Sequence, residues 1–387
     1  MYQRALQIAD IAARKSVLLL GPRQTGKSTL LRAAFPSAPS YNLLDSSTYR
    51  SLSADPGRIV REVAALAPRP PVVVIDEVQR LPELLNEAHR LIEELGVRVV
   101  LTGSSARSLR RRGVNLLGGR ARSLTMHPLV AAEVGDGFDL VRAVNQGLLP
   151  AIYDSADPDG DLADYAGTYL REEVAAEGLT RRMPSFARFL EVAALSSGTM
   201  LNATKIASDA EVKRTTVIDW FDVLRDTLVA ADLPPWQRTR TRKPIATAKM
   251  YLFDPGVVRH LSGTGRVEPR STEFGRGFEH LLHHELRAAC DYGRASTLAY
   301  WRSTSGFKVD FIVDDAVAIE AKAKSAISAA DLRGLRALKE EALLRRYVLV
   351  ALVDRPQLVD GVEVLPWRDF VRQLWSGDLD GARRATT

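Results

Sequence analysis

The feature that most constrains the fold is an octapeptide near the amino terminus, Gly21–Ser28, with the pattern G-x-x-x-x-G-K-S. It follows a short apolar run, Ser16–Leu20, of the kind that forms a buried parallel strand, and helical sequence continues from Thr29. A glycine-rich loop between a strand and a helix exposes backbone N–H groups that can surround phosphates. The sequence therefore predicts an α/β domain that binds a nucleotide.

Two residues of this loop have specific expected roles. The ammonium group of Lys27 can reach the β- and γ-phosphates, and the hydroxyl of Ser28 can ligate Mg²⁺. We expect nucleotide contacts along the whole segment, which comprises Gly21, Pro22, Arg23, Gln24, Thr25, Gly26, Lys27, Ser28 and Thr29.

A second apolar run, Pro71–Ile75, ends in two acidic residues, Asp76 and Glu77. Carboxylates at the carboxyl end of a parallel strand face the ligand crevice of an open α/β sheet. We expect Asp76 to hold Mg²⁺ through its hydration shell and Glu77 to orient and polarise the attacking water. Two adjacent acids favour hydrolysis over phosphoryl transfer to a small molecule. In such a transfer the small-molecule substrate, and not a water, supplies the nucleophile.

A third apolar run, Arg98–Leu101, ends in Thr102–Ser105. A polar side chain at this position can contact the γ-phosphate, and Ser104 and Thr102 are the two candidates. The alternative is an ordinary loop in which one of them caps a helix.

An arginine-rich segment without acidic residues follows. Its arginines can stabilise phosphoryl charge in cis or from a neighbouring subunit, grip a nucleic-acid backbone, or be solvated. We favour Arg120 for the first role. The six arginines are Arg107, Arg110, Arg111, Arg112, Arg120 and Arg122.

Together these motifs resemble the prokaryotic AAA-type ATPases, in a branch fused to a carboxyl-terminal domain of uncharacterised function. The resemblance rests on Gly21–Ser28, Ile75–Gln79, Leu101–Ser105, Leu117–Arg120 and His127–Leu129. It implies an AAA-like core over residues 1–150 that hydrolyses ATP with Mg²⁺. Because AAA-like sites often use an arginine from a neighbouring subunit, a homo-oligomer is compatible with this interpretation.

The middle segment, residues 151–265, reads as a helical connector. Asn202–Ala207 and Arg214–Leu224 resemble the two helices of a winged helix-turn-helix, whose second helix can enter a DNA major groove. The predicted wing, Trp236–Lys249, is basic and has no acid, which suits contact with the phosphates of double-stranded DNA. Asp219 and Asp222 on the second helix oppose close phosphate approach, so docking to a protein is the alternative. The basic residues of the wing are Arg238, Arg240, Arg242, Lys243 and Lys249.

Residues 266–387 resemble the PD-(D/E)XK nuclease fold, which the family likeness also implies. Strand alternation puts Glu320 and Lys322 on one face, and Asp310 on the preceding hairpin strand can meet Glu320. Two converging carboxylates can hold Mg²⁺, with Glu279 as a third, and the lysine can activate a water beside a scissile phosphate. The alternative is a nuclease fold kept as an inert scaffold.

Composition limits the remaining classes. A length of 387 residues allows two or three domains, and a net charge of +6 permits nucleic-acid binding without requiring it. No apolar stretch reaches the length of a membrane helix, and the single cysteine, Cys290, excludes a disulfide, so we expect a cytoplasmic protein.

The predicted function is therefore Mg²⁺-dependent ATP hydrolysis that drives a conformational change and acts on DNA. The alternative is an ATP-gated regulatory or signalling module whose nuclease-like domain is inert. A phosphoryl-transferring kinase is disfavoured by the acid at position 77.

Overall fold

The computed structural model describes residues 2–105, 117–169 and 183–379. These residues form two compact units. Unit 1 comprises residues 2–128 and 222–229, and unit 2 comprises the remaining described residues from 129 onward.

Unit 1 is built on a five-stranded parallel sheet. The spatial order is β2-β3-β4-β1-β5. The three apolar runs predicted as strands form β1, β3 and β4, and their residues are buried on both faces, as in other parallel sheets. The strands are β1 (Ser16–Leu20), β2 (Ser40–Asn42), β3 (Val72–Asp76), β4 (Arg98–Gly103) and β5 (Ala121–Thr125).

Helices cover this sheet and complete its core. Apolar side chains such as Ile59, Leu84 and Leu91 are fully buried against Val73, Ile75 and other strand residues. The helices are α1 (Ile8–Ala12), α2 (Lys27–Ala34), α3 (Ser46–Ala54), α4 (Arg58–Ala64) and α5 (Leu84–Glu93).

Unit 2 begins with short helices and a small antiparallel sheet of order β6-β8-β7. Two helices, α11 and α12, lie between β6 and β7 along the chain. The elements are α6 (Ala131–Val134), α7 (Leu140–Gln146), α8 (Pro150–Tyr153), α9 (Pro158–Asp164), α10 (Met183–Leu195), β6 (Thr199–Met200), α11 (Ala203–Asp209), α12 (Arg214–Asp226), β7 (Ala230–Leu233) and β8 (Lys249–Leu252).

The carboxyl-terminal half of unit 2 contains a six-stranded mixed sheet of order β13-β14-β12-β11-β10-β9. The hairpin strand predicted to hold Asp310 is β10, which pairs antiparallel with β9. The elements are α13 (Pro255–Leu261), α14 (Thr272–Asp291), β9 (Leu298–Arg302), β10 (Lys308–Val313), β11 (Val317–Lys322), α15 (Arg333–Lys339), β12 (Arg346–Ala351), β13 (Gln357–Val359), β14 (Val362–Pro366) and α16 (Trp367–Ser376).

Helix α14 connects several parts of unit 2 through buried polar side chains. Glu285 accepts hydrogen bonds from the backbone N–H of Ala131 and from the indole of Trp375, each at 2.7 Å. The Nε2 of His284 lies 2.8 Å from the carbonyl oxygen of Leu129. Helix α14 is therefore tied to the start of unit 2 and to α16. Among the described ranges, no helix has the length and apolarity that crossing a membrane requires.

Candidate functional site

The loop after β1 encloses the side chain of Lys27. Gly26 adopts a left-handed conformation (φ 92°) and α2 begins at the next residue. The ammonium group of Lys27 donates to the carbonyl oxygens of Gly21 (2.7 Å) and Pro22 (3.0 Å), and Thr25 Oγ1 donates to Pro22 O (2.9 Å). The loop is thus a closed turn around a buried cation, at the amino terminus of a helix.

The amino-terminal segment fixes this loop from outside. The guanidinium group of Arg4 donates to the carbonyl oxygens of Thr25 (2.6 Å), His127 (2.7 Å) and Pro128 (3.2 Å). A Cβ on Gly21 would clash with the carbonyl oxygen of Met126, so only glycine allows this approach. Sequence reasoning missed Arg4 because a single arginine before the first strand carries no pattern.

The acidic pair lies at the carboxyl end of β3, at the same sheet edge as the loop. Asp76 and Glu77 are both buried. Thr102 joins them, since its Oγ1 donates to Asp76 Oδ1 and accepts from the backbone N–H of Glu77 (2.9 Å). Thr102, one of two predicted phosphate sensors, therefore supports the acids directly.

The other predicted sensor, Ser104, is also buried, with 2% of its surface exposed. Its Oγ accepts a hydrogen bond from the side-chain amide of Gln79 (3.2 Å), which also donates to the carboxylate of Glu77. No role for Gln79 was predicted from the sequence, although it follows the acidic pair by two residues.

Arg120 does not lie near the loop. It directly precedes β5, whose register pairs Ala121 with Ser16 and Thr125 with Leu20, so it lies at the amino ends of the strands, about 17 Å along the strands from the carboxyl end of β1 where the loop begins. Its side chain is exposed and paired with Glu93. Within one chain Arg120 is therefore not brought to the loop, because the strand direction separates the two, and a role toward a neighbouring subunit stays a prediction. Arg107, Arg110, Arg111 and Arg112 lie outside the described residues.

The predicted basic wing is not a free hairpin. Residues 234–245, which we call the strap, run along β9: Trp236 N–H donates to Tyr300 O (2.6 Å) and Ile245 N–H to Arg302 O (2.8 Å). Arg238 pairs with Asp315 (2.8 Å), and Arg242 pairs with Glu340 and Glu341. The expectation of a projecting wing is wrong, because distant acids in unit 2 use these arginines.

A second polar cluster lies where β10 and β11 pair. Asp310 and Glu320 are both nearly inaccessible to solvent. Asp310 Oδ2 accepts from the backbone N–H of Ala321 (3.1 Å), and Glu320 Oε2 accepts from that of Asp310 (3.3 Å). Lys308 lies 3.2 Å from Asp310 Oδ1, and Lys322 donates to Glu320 Oε1. The structure thus brings Asp310, Glu320 and Lys322 together as predicted.

The two carboxyl groups have different electrostatic environments. Burial, followed by the nearby charge of Asp310, raises the pKa of Glu320 to about 8. Burial also acts to raise the pKa of Asp310, but the lysines around it, led by Lys308, outweigh burial and hold that pKa below its usual value. One proton shared by two close carboxyl groups is the expected result of such an arrangement.

Glu279, the predicted third carboxylate, is held by other partners. It accepts from Lys249 (3.0 Å) and from the hydroxyl of Tyr251 (2.8 Å), both on β8. Within residues 2–105, 117–169 and 183–379, no three His, Cys, Asp or Glu side chains are grouped closely enough to hold a metal ion. The predicted three-carboxylate metal set is therefore not assembled.

Comparison with known proteins divides the chain into three matched regions. Residues 13–135 match an AAA domain, residues 137–268 match a domain of unknown function (DUF8612), and residues 274–370 match another domain of unknown function (DUF4143).

The similar curated proteins are uncharacterised. Uncharacterized protein Rv2008c of Mycobacterium tuberculosis and uncharacterized protein Mb2031c of Mycobacterium bovis are each 26% identical over 318 residues, which is 81% of this chain and 69% of theirs.

Two solved structures are also similar. The Walker-type ATPase PABY2304 of Pyrococcus abyssi is 18% identical, with 66% of this chain and 93% of that chain covered and a TM-score of 0.42. The Aeropyrum pernix ORC1 protein, solved in complex with DNA, is 18% identical, with 66% and 90% covered and a TM-score of 0.25. Residues 13–135, which contain the loop and the acidic pair described above, are therefore an AAA-type P-loop domain.

Proposed function

We propose that this protein binds ATP and hydrolyses it with Mg²⁺ at the carboxyl edge of the unit 1 sheet. The observation that carries the proposal is that Asp76 and Glu77 lie at the same end of the parallel strands as the loop Gly21–Ser28, with Thr102 joining the two acids. Buried acids beside a phosphate-binding loop suit hydrolysis, because one can serve the metal and the other the water.

The oxygen donors at this edge suit Mg²⁺, a hard cation that prefers carboxylate and hydroxyl ligands. Asp76 and the hydroxyl of Ser28 would hold it, and when bound it neutralises charge on the phosphates. Lys27 contributes a second positive charge, and the backbone N–H groups of the loop orient the phosphate chain. Glu77 accepts a proton from the attacking water at its carboxylate.

Two substitutions test this proposal. Lys27→Ala should abolish ATP binding, because it removes the buried charge that faces the β- and γ-phosphates. Glu77→Gln should keep ATP binding and lower kcat by at least 100-fold, because only the water loses its partner. Equilibrium binding of a fluorescent ATP analogue and steady-state phosphate release measure the two effects. Wild-type turnover in Glu77→Gln would contradict the role of Glu77.

A second candidate activity is phosphodiester cleavage by the cluster in unit 2. The favouring observation is the convergence of Asp310, Glu320 and Lys322 on paired strands. We propose that Asp310 and Glu320 bind Mg²⁺ as a two-carboxylate site and that Lys322 serves the water. The order β6-β8-β7 with α11 and α12 supports the interpretation of the preceding segment as a winged helix, the part that would contact DNA.

Metal addition tests this second site. Mg²⁺ or Mn²⁺ should raise the melting temperature of the full chain, because bound metal relieves the repulsion between two buried carboxyl groups. Asp310→Asn should remove the part of the shift that does not depend on ATP, and Lys322→Ala should keep it. Plasmid nicking that is lost in Lys322→Ala would support cleavage. Absence of both the shift and the nicking would leave the cluster as an internal charge network.

The regulatory alternative has its own supporting observation. The strap arginines Arg238 and Arg242 are paired within unit 2, so less positive charge is available to a phosphate backbone. In that case ATP controls the state of the protein, and the nuclease-like fold is inert. ATPase rates with and without duplex DNA distinguish the two, since stimulation by DNA favours action on DNA.

A further inference from the structure

Gln79 lies between the two polar groups that the hydrolysis proposal needs. Its Nε2 donates to the carboxylate of Glu77 and to the hydroxyl of Ser104, the latter at 3.2 Å. Ser104 follows β4, and Glu77 follows β3, so the amide joins residues from two neighbouring strands. A single side chain thus contacts both the predicted water-activating acid and the predicted γ-phosphate sensor.

The position of this amide is built into the backbone. Gln79 is in a short 3-10 turn, Val78–Arg80, whose Val78 is fully buried and whose Arg80 N–H bonds back to Glu77 O at 3.0 Å. Gly103 leaves the space that the amide occupies: a Cβ there would approach Gln79 Oε1 to 2.9 Å. The side chain is therefore confined on both sides.

The amide also retains one unsatisfied atom. Its Oε1 is buried and has no hydrogen-bond partner among the described residues. A buried amide oxygen without a hydrogen-bond partner destabilises the folded state. A contribution to stability therefore does not explain why the Gln79 amide is buried at this position. Both contacts of Nε2, by contrast, are with polar groups of the candidate site.

The backbone of Glu77 is fixed independently of Gln79. Its φ is 62°, in the left-handed region, and its N–H is held by Thr102 at 2.9 Å. With the backbone fixed, the orientation of the Glu77 carboxylate depends on rotation of its side chain, and Gln79 is the side chain that contacts that carboxylate.

From these contacts we propose that Gln79 is a positioning residue that couples Ser104 to Glu77. When the hydroxyl of Ser104 engages the terminal phosphate of ATP, the amide of Gln79 transfers that contact to the Glu77 carboxylate and sets its orientation toward water. The inference rests on the proposed ATP hydrolysis. It gives Gln79 the role of connecting the residue that contacts the phosphate, Ser104, to the residue that activates the water, Glu77.

The test compares Gln79→Ala, Ser104→Ala and the double variant in the full chain, each with Glu77 and with Glu77→Gln. Gln79→Ala should lower kcat about 10- to 100-fold with ATP affinity within about twofold of wild type, a fraction of what full general-base catalysis contributes. The factor by which the double variant lowers kcat should be smaller than the product of the two single factors, because Gln79 and Ser104 act on Glu77 through the same hydrogen bonds. In the Glu77→Gln background, Gln79→Ala should cost nothing further in single-turnover rate.

Arg80→Ala is the matched control, because Arg80 is in the same turn and bonds to Leu43 O (3.0 Å). It should keep wild-type kcat. Gly103→Ala is a second route to the same effect, since its methyl group displaces the amide without removing it.

The outcomes separate the two proposals. If Glu77→Gln hydrolyses ATP at the wild-type rate, the proposed site chemistry fails. If Glu77→Gln is inactive while Gln79→Ala retains full kcat, only the coupling role fails. The coupling role also fails if Gln79→Ala lowers ATP affinity as much as it lowers kcat. It fails as well if Gln79→Ala lowers the single-turnover rate by the same factor in the chain with Glu77 and in the Glu77→Gln chain.

Discussion

At the scale of single residues, the acidic pair at the end of β3 depends on the hydroxyl group of Thr102 on the neighbouring strand β4. Glu77 is a non-glycine residue in the left-handed region, a conformation that costs about 1 kcal/mol and persists only where its surroundings enforce it. The hydroxyl of Thr102 provides that support, because it bonds both to Asp76 and to the N–H of Glu77. The geometry of the acidic pair is thus held from β4.

Thr102→Val should therefore impair the site without changing its shape. Valine fills the same volume but leaves a buried carboxylate and a buried N–H without this partner, at about 1–3 kcal/mol each. We expect a lower melting temperature and a kcat reduced more strongly than ATP affinity. Thr102→Ser is the control, since it keeps the hydroxyl. Equal loss in both variants would mean that packing of the methyl group, and not the hydrogen bonds, supports the pair.

The sequence predicted the residues of this site whose roles are local. Lys27, Asp76 and Glu77 follow directly from a loop motif and a strand terminus. Arg4, Gln79 and the bridging function of Thr102 were missed because each depends on which strands are neighbours in space. The order β3-β4-β1 brings position 102 beside position 76, and no spacing along the chain encodes that pairing.

At the scale of one element, α14 is unusual in burying three histidines and a glutamate. Burial lowers the pKa of His280 to about 4 and raises that of Glu285 to about 7. Both groups therefore favour the neutral form in the folded protein, and each makes stability depend on pH in an opposite direction.

Glu285 provides a measurable pH effect. Its folded pKa is above its unfolded value of 4.5, so the folded state binds the proton more tightly, and its contribution to the free energy of unfolding falls as pH rises from about 4.5 to about 7. The full loss is up to about 3 kcal/mol. Urea unfolding of the wild type at pH 5 and pH 8 measures the sum of this loss and the opposite trend from His280 and His283, whose pKa values burial lowers, so the Glu285 contribution has to be read from a comparison with a variant.

Glu285→Gln isolates that contribution, because the amide does not titrate. The difference between wild type and variant should shrink as pH rises. The NH₂ group of the glutamine cannot accept a hydrogen bond from the indole of Trp375. The variant should therefore have a lower free energy of unfolding at every pH, and adding Trp375→Phe should recover that constant part of the loss because it removes the unpaired donor. Parallel pH profiles for wild type and Glu285→Gln would mean that Glu285 stays ionised when folded.

At the scale of the whole molecule, unit 2 contains most of the predicted connector together with the predicted carboxyl-terminal domain. The strap was misread because its partners are remote: Asp315 and Glu341 lie about 80 and 100 positions along the chain. A basic run without local acids has the same appearance whether it faces DNA or a distant carboxylate. The strands of the unit 1 sheet were predictable because each is a local apolar run, and the hairpin was predictable because β9 and β10 are joined by a short turn.

Glu341 should be the key acid for the strap. Its side chain is 1% exposed and accepts from the backbone N–H groups of Arg240, Thr241 and Arg242. Glu341→Ala leaves these donors without this acceptor, and we expect a loss of about 1–3 kcal/mol in the free energy of unfolding. Glu340→Ala is the matched control, because Glu340 pairs with the same Arg242 but is 64% exposed, and its loss should stay within about 0.5 kcal/mol. Denaturant titration measures both.

The strap also determines how the protein behaves toward other copies of itself. Without it, β9 would end the six-stranded sheet with a row of open N–H and C=O groups, which is a template for another extended chain. The opposite edge is β13, a strand of only three residues, which offers little length for pairing. Both borders of the sheet are thus protected against aggregation, so loosening the segment between β7 and β8 should produce insoluble assemblies before it abolishes the fold.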